Sequence, residues 1–191
     1  MDPLSGLVLA GGASRRMGTD KALLEVAGET LAARAVRSLR TVCLEVIVAS
    51  GDGSRLPVGD RQVADALADA GPLAGLVAGL DAAAHDLVAV TAVDLPFANP
   101  ALLALLARLH QGEPAVVPRV DGRLQPLHAV YARSAADRLR ALLAAGERSV
   151  TAAVRALDPR VAETDEWAPA DPTGRFAWNV NRPQDLEGLE A

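Results

Sequence analysis

Short apolar runs alternate along the chain with segments whose apolar residues recur at helical spacing. Runs of this kind are typical of strands that are buried on both faces of a sheet. They lie at residues 4–10, 46–49 and 87–93, with a weaker candidate at 62–64. The first segments with helical spacing cover residues 31–40 and 73–83. Strands that alternate with helices predict an α/β fold, in which a mostly parallel sheet carries helices on both faces.

The second half of the chain continues the alternation and adds a hairpin signal. Helices are predicted at residues 100–110, 135–145 and 149–157, and strands at residues 115–120 and 127–132. Asp121-Gly122, a dipeptide favoured at hairpin turns, lies between those two strands, although their separation is too long to require a two-residue turn. We therefore expect one antiparallel addition to the sheet.

Polar residues mark several helix ends, and the last thirty residues contain few structural signals. Thr30, Asn99 and Ser149 are predicted helix N-caps, and Gly146 is a predicted helix end. Residues 163–174 are polar and predicted as a loop, residues 177–181 as a short strand, and a last helix is predicted to open at Pro183. Three aromatic residues flank the polar segment, and we expect them to pack in the core: Trp167, Phe176 and Trp178.

Length and composition narrow the class of protein. With 191 residues and no linker or repeat, we expect one domain spanning residues 1–191. The net charge of −5 disfavours non-specific nucleic-acid binding. The sequence has no apolar run long enough for a membrane span and no secretory signal, so no membrane association is expected. Cys43 is the only cysteine, which excludes disulfides and fits the cytoplasm.

Residues 7–21, LVLAGGASRRMGTDK, combine a buried strand, paired glycines and a group of cations. Gly11-Gly12 lets backbone N–H groups approach an anionic oxygen without a Cβ in the way. Arg15, Arg16 and Lys21 then supply positive charge to neutralise it. An isolated basic turn in solvent is the alternative, but three cations directly after a double glycine favour a phosphate-binding loop.

Three predicted strands deliver polar or glycine residues to one edge of the sheet. Gly11 and Gly12 follow the first strand, Ser50 follows the second, and Asp94 follows the strand at residues 87–93. Ligands of open parallel sheets bind beyond the carboxyl ends of the strands, so we expect a shared site there. Asp94 is either a magnesium ligand or a carboxylate that caps the turn before Pro96.

Several common sites are absent from the sequence. The loop matches neither the P-loop pattern nor Gly-x-Gly-x-x-Gly. No histidine pair has zinc-ligand spacing, and no Gly-x-Ser-x-Gly elbow is present. Residue type alone does not assign a function to Asp65 or His128. Asp65 is as consistent with an acid on the surface, and His128 with a histidine in the core or at the edge of the sheet.

Residues 9–21, LAGGASRRMGTDK, resemble the signature of nucleotidyltransferases that activate phosphorylated substrates with a nucleoside triphosphate. The resemblance is closest to the molybdenum cofactor guanylyltransferase family, whose pattern Leu-Ala-Gly-Gly-x-x-x-Arg-Met-Gly, then Asp-Lys, is filled at every position. Further matches cover almost the whole chain: Asp65 with residues 71–75 (GPLAG), residues 94–96 (DLP), 125–128 (QPLH), 146–148 (GER) and 179–181 (NVN) with Pro183.

The resemblance implies a three-layer Rossmann-like fold and transfer of GMP from GTP to the molybdopterin form of molybdenum cofactor. It places Asp94 on Mg²⁺, Arg16 and Lys21 on the phosphates, and Asp65 at a nucleotide-binding position. Leu9, Ala10, Gly11 and Gly12 would lie along the nucleotide, and four residues would lie toward the pterin: Gln125, His128, Asn179 and Asn181. One departure is Ala49-Ser50, where the family often has Asn, so guanine selectivity would depend more on other contacts.

The sequence also allows several functions other than guanylyl transfer. A molybdopterin cytidylyltransferase would use the same phosphate chemistry with a different base, and a sugar-1-phosphate nucleotidylyltransferase has a similar loop. A nucleotide-binding regulator, or a chaperone of molybdoenzymes, is the non-enzyme alternative, although binding alone would not need a metal carboxylate. Molybdoenzymes or their chaperones are expected partners besides GTP and molybdopterin.

Overall fold

The computed structural model describes residues 3–11, 21–51, 56–68, 70–180 and 185. The strands in these ranges are β1 (Leu4–Leu9), β2 (Glu25–Val26), β3 (Glu29–Thr30), β4 (Glu45–Ala49), β5 (Arg61–Val63), β6 (Leu87–Ala92), β7 (Ala115–Val120), β8 (Arg123–Leu124), β9 (Ala129–Ala132) and β10 (Arg160–Ala162). The helices are α1 (Leu31–Leu39), α2 (Pro72–Ala82), α3 (Pro100–Leu109), α4 (Ala136–Ala144), α5 (Val150–Ala156) and α6 (Thr164–Trp167). Single 3₁₀ turns cover Lys21–Leu23, Arg133–Ala135 and Arg175–Ala177.

The main sheet has the strand order β10-β7-β9-β6-β1-β4-β5, and β8 pairs with β7 at its margin. β1 lies between β4 and β6, and both pairings are parallel. β9 is antiparallel to β6 and to β7, while β10 and β7 are again parallel. The predicted α/β class, a mostly parallel sheet with an antiparallel addition, is therefore confirmed.

Alternate side chains of each central strand enter different apolar layers. Leu7 and Leu9 of β1 pack into the layer formed with α2, α4 and α5. Leu4 and Val8 enter the layer formed with α1 and α3. All six residues of β1 and of β6 are buried, which explains why both strands are mostly apolar, with Ser5 and Thr91 as their polar residues. Within the described ranges, no helix has the length and apolar character that a bilayer span would need.

Three predicted helix starts are confirmed by hydrogen bonds. The Thr30 hydroxyl accepts from Ala33 N–H at 3.1 Å, Asn99 Oδ1 from Leu102 N–H at 3.1 Å, and Ser149 Oγ from Ala152 N–H at 3.2 Å. Each side chain satisfies an N–H group that the first helical turn leaves without an intrahelical acceptor.

Asp121-Gly122 is a hairpin turn, as predicted, but the strand that follows it is β8 and not the strand predicted at residues 127–132. These two residues form a two-residue turn with φ of 48° and 74°, and they join β7 to the short strand β8. The strand predicted at residues 127–132 begins only at Ala129 and inserts between β6 and β7. Two positive φ angles match the twist of a tight hairpin. The strand at β9 begins too far from β7 for a two-residue turn, whereas β8 follows β7 after these two residues.

The predictions for residues 163–180 were partly wrong. The predicted loop contains α6, which begins with a capping box between Glu163 and Glu166. The described part of the predicted strand at residues 177–181 begins with the end of a 3₁₀ turn and has no ladder pairing. Trp167 and Phe176 are buried as expected, but Trp178 is exposed. Pro183, where a last helix was predicted, lies outside the described residues.

Candidate active site

The end of β1 is in close backbone contact with the end of β4. Ala10 and Gly11 both donate their N–H groups to Ala49 O, at 2.8 and 3.0 Å. Gly11 also packs against Gly51, which has a φ of 77°. A Cβ on Gly11 would lie 2.7 Å from Gly51 N, a distance that two backbones cannot accommodate. The first glycine of the loop is therefore required by this approach of the two chain segments.

Asp65 joins the same corner of the sheet. Its N–H donates to Gly51 O at 2.9 Å, and its Oδ1 lies 3.0 Å from where a Cβ of Gly75 would stand. A Cβ on Gly75 would also lie 3.2 Å from Leu9 Cδ2. Glycine in the first turns of α2 thus lets the helix, the carboxylate and the end of β1 pack together. The structure brings together Leu9, Ala10, Gly11 and Asp65, the described residues predicted to lie along the nucleotide.

Lys21 and Asp94 are linked through one residue near the end of the chain. Lys21 Nζ donates to Val180 O at 3.0 Å, and Val180 N–H donates to Asp94 O at 2.8 Å. Val180 is fully buried. This bridge places the lysine and the aspartate, which are 73 positions apart in sequence, on one side of the sheet at its carboxyl edge.

The carboxylate of Asp94 has the environment of a ligand-binding group. Burial raises its pKa, and the positive charge of Lys21 acts in the opposite direction. Its Oδ1 is shielded from solvent and has no hydrogen-bond partner among the described residues. An oxygen in this state is costly unless something binds it, because it has lost its water.

A magnesium ion fits this donor set better than a transition metal does. Mg²⁺ is typically held by one or two carboxylates and completes its shell with water and substrate phosphates. Within the described ranges, no group of three or more histidine, cysteine, aspartate or glutamate residues is placed to bind a metal. A single orphaned carboxylate oxygen beside a lysine suits an ion that arrives with a triphosphate.

The predicted pterin-side residues differ in their accessibility. Gln125 is partly buried in the turn before β9, and Asn179 is exposed next to Val180. His128 lies just before β9, which is antiparallel to β6, so it is at the same edge as Asp94. However, its side chain has no exposed surface and stacks on Phe176, with ring centroids 5.1 Å apart. Burial lowers the His128 pKa to about 4, so the ring is neutral at pH 7.

Three predicted site residues lie outside the described ranges: Gly12, Arg16 and Asn181. Sequence reasoning missed two residues that shape the site. Val180 contributes only backbone atoms, and its sole signal was its place between two asparagines of the quoted motif. Gly75 was visible only as part of the GPLAG match.

A cavity lies at the other edge of the sheet. It has a volume of about 730 Å³ and lies where β6 begins and β9 ends, between Leu87 and Ala132. Among the predicted site residues that the structure describes, none lines it. The chemistry is therefore assigned to the carboxyl edge, where the motif residues meet, and not to this cavity.

This fold, with a glycine-ended β1 and a lysine and an aspartate joined at the carboxyl edge of the sheet, defines a Rossmann-like nucleotidyltransferase. The family model "MobA-like NTP transferase domain" matches residues 6–161. The chain belongs to this family, and the prediction of a nucleotidyltransferase is confirmed.

Relatives of similar length match nearly the whole chain. A protein of Chloroflexus aggregans named probable molybdenum cofactor guanylyltransferase is 42% identical, over 98% of this chain and 94% of the relative. A Methanosarcina mazei protein of the same name is 38% identical, over 97% and 89%. Among solved structures, molybdopterin-guanine dinucleotide biosynthesis protein A from Archaeoglobus fulgidus superposes with a TM-score of 0.81 at 26% identity, covering 97% of this chain and 96% of that one.

Proposed function

We propose that this chain transfers GMP from GTP to the molybdopterin form of molybdenum cofactor and releases pyrophosphate. The observation that carries the proposal is the Lys21–Val180–Asp94 bridge at the edge where the glycine loop begins. The names of relatives that are 36–44% identical support the choice of substrates. The chain would act as one domain over residues 1–191, in the cytoplasm, and pass its product to molybdoenzymes or their chaperones.

The reaction is an in-line displacement at the α-phosphorus of GTP. A phosphate oxygen of the acceptor forms the new P–O bond, the bond to the bridging oxygen breaks, and the electron pair leaves with pyrophosphate. Both reactants are anions, so most of the barrier is electrostatic. Lys21 would move its ammonium from Val180 O to phosphate oxygens and stabilise their developing charge. No covalent intermediate is needed, so the site needs no nucleophilic side chain.

Asp94 would hold Mg²⁺ through the oxygen that has no partner within the described residues. The bound ion would supply Lewis-acid stabilisation to the phosphate oxygens. Leu9, Ala10 and Gly11 would line the nucleotide with their backbone, and Asp65 would accept hydrogen bonds from it. The roles of Gly12 and Arg16 at the phosphates, and of Asn181 toward the pterin, remain predictions from the resemblance.

One observation leaves a cytidylyltransferase as the second candidate. Ser50 stands where the family often has Asn, and its hydroxyl is buried without a hydrogen-bond partner among the described residues. A serine hydroxyl offers one hydrogen-bond donor for reading a base edge, whereas an asparagine amide offers two. Calorimetric titration with GTP and with CTP, each with Mg²⁺, separates the two candidates.

The proposal is tested by pyrophosphate release from purified protein with molybdopterin, Mg²⁺ and either nucleotide. We expect release with GTP, none without acceptor, and much less with CTP. Arg140→Ala is the matched control for loss of a cation, because Arg140 pairs with Asp81 and Asp137 on the exposed side of α4. Binding of GTP without any transfer would instead favour a nucleotide-binding regulator.

A further inference from the structure

The two tryptophans of the chain occupy opposite environments. Trp167 is 5% exposed, and its indole N–H donates to Arg119 O at 3.0 Å. Trp178 is 39% exposed, although burying an indole is one of the more favourable contributions available to a fold. Tryptophan is enriched at interfaces, where the indole offers an apolar face and a polar edge, so Trp178 is a candidate ligand contact and Trp167 is not.

The Trp178 ring is held by a stack of neighbours. Its centroid is 5.6 Å from that of Phe97, with the planes tilted by 53°. The guanidinium of Arg175 lies 3.7 Å from the centroid of Phe97. The backbone is also fixed, because Trp178 N–H donates to Arg175 O at 2.9 Å. A ring that is fixed before binding loses little conformational entropy when a ligand stacks on it.

This aromatic stack, defined as Phe97, Arg175 and Trp178, adjoins Asp94 along two chain segments. Phe97 follows Asp94 by three positions, and Trp178 precedes Val180, the residue bonded to Asp94, by two. Two extended residues span at most about 7 Å. Trp178 therefore lies close along the chain to Val180, whose N–H donates to the backbone carbonyl of Asp94.

Phe97 and Arg175 of the stack lie beside α1, whereas Asp65 lies against α2 on the other face of the sheet. Leu9 packs in the α2 layer, where Gly75 brings Asp65 alongside it. Phe176, which anchors the segment before Trp178, packs in the other layer, together with Trp167. A flat ligand on Trp178 would thus approach Asp94 from the α1 side, where it would not overlap a nucleotide bound beside Asp65.

We infer that Trp178, supported by Phe97 and Arg175, is the stacking platform for the fused heteroaromatic ring of the acceptor. The inference rests on the proposed function, since it takes the acceptor to be a pterin. Stacking on an indole suits the planar part of a pterin and leaves its phosphate arm free to reach the Asp94 edge.

The test compares Trp178→Ala and Trp178→Phe with the wild-type chain. Leu44→Ala is the matched control, because Leu44 is 76% exposed and lies beside Leu4 at the opposite edge of the sheet. For Trp178→Ala we expect the KM for molybdopterin to rise about tenfold, roughly 1.4 kcal/mol, within the range for a base stacked on an aromatic ring. The KM for GTP should stay within twofold, and Trp178→Phe should recover most of the loss.

Equilibrium binding of molybdopterin, measured by anaerobic calorimetry, tests the platform without relying on transfer. Weaker binding by Trp178→Ala supports the inference even if the wild-type chain transfers no GMP, a result that would overturn only the proposed function. Equal binding by wild type and Trp178→Ala, or no binding by either, overturns the inference. A rise confined to the KM for GTP also overturns it, since Trp178 would then stack on guanine.

Discussion

Two glycines of α2, Gly75 and Gly79, allow the nucleotide site to be perturbed separately from the core. They lie one turn apart and face β1. A Cβ at Gly79 would lie 2.3 Å from both methyl carbons of Leu7, far inside van der Waals contact. A Cβ at Gly75 would lie 3.0 Å from Asp65 Oδ1, only a few tenths of an ångström too close. The same substitution to alanine therefore displaces a core side chain, Leu7, at position 79 and the predicted nucleotide-binding carboxylate of Asp65 at position 75.

The magnitudes follow from these distances. Overpacking a buried site costs about 1–3 kcal/mol, and replacing glycine by alanine in a helix returns about 1 kcal/mol. Gly79→Ala should therefore lower the free energy of unfolding by up to about 2 kcal/mol. Gly75→Ala should change it by less than about 1 kcal/mol, because the required shift is small. Displacing Asp65 weakens hydrogen bonds to a charged group, which contribute about 1.5–3 kcal/mol, so GTP should bind roughly tenfold more weakly.

Urea denaturation and calorimetric titration with GTP and Mg²⁺ measure the two effects. Gly79→Ala serves as the control for Gly75→Ala, and it should bind GTP normally at temperatures where it is folded. Wild-type GTP affinity in a folded Gly75→Ala variant would refute the assignment of Asp65 to the nucleotide. A larger stability loss for Gly75→Ala than for Gly79→Ala would refute the packing argument.

Three further predictions test other parts of the molecule. Lys21→Ala and Asp94→Ala should each lower kcat about 10²-fold or more, as measured by pyrophosphate release; near wild-type turnover of both folded variants would contradict the site. Burial lowers the His128 pKa from 6.5 to about 4. As the pH falls from about 6.5 toward 4, the unfolded chain therefore binds a proton on His128 before the folded chain does, and the free energy of unfolding decreases. Urea denaturation of His128→Leu against wild type should show that loss reduced by up to about 3 kcal/mol; parallel pH profiles would rule this out. Ser5→Ala removes a buried hydroxyl that donates to Glu45 at 2.6 Å, so we expect a loss of about 1–3 kcal/mol by denaturation at pH 7, and an unchanged free energy would count against that network.

The sequence predicted the parts of the fold that depend on local patterns. The runs at β1, β4 and β6 and the caps at Thr30, Asn99 and Ser149 were identified because each depends on residue type at short range. The order of strands around β9 was not predicted, because insertion between β6 and β7 depends on pairing between distant segments. The α6 helix was missed for a similar reason: its polar sequence gives little signal except the reciprocal caps of Glu163 and Glu166.

The candidate site was predictable where a motif supplied side chains and not where it supplied backbone. Lys21 and Asp94 stand in quoted motifs, and the structure brings them to one edge. The carbonyl and N–H of Val180 join them through hydrogen bonds of its backbone, and a pattern of side-chain types does not predict such bonds. The exposure of Trp178 also could not be read from sequence, since tryptophan composition alone favours burial.

The Val180 bridge has a consequence for the order in which activity appears during synthesis. The hydrogen bond from Lys21 spans 159 positions of the chain. A nascent chain that has reached residue 170 has already made every described strand of the main sheet, β10 included, yet it lacks the residue that joins the two groups. Ribosome-bound intermediates would therefore acquire these strands early but would have no assembled catalytic edge, so turnover would begin only after Val180 emerges.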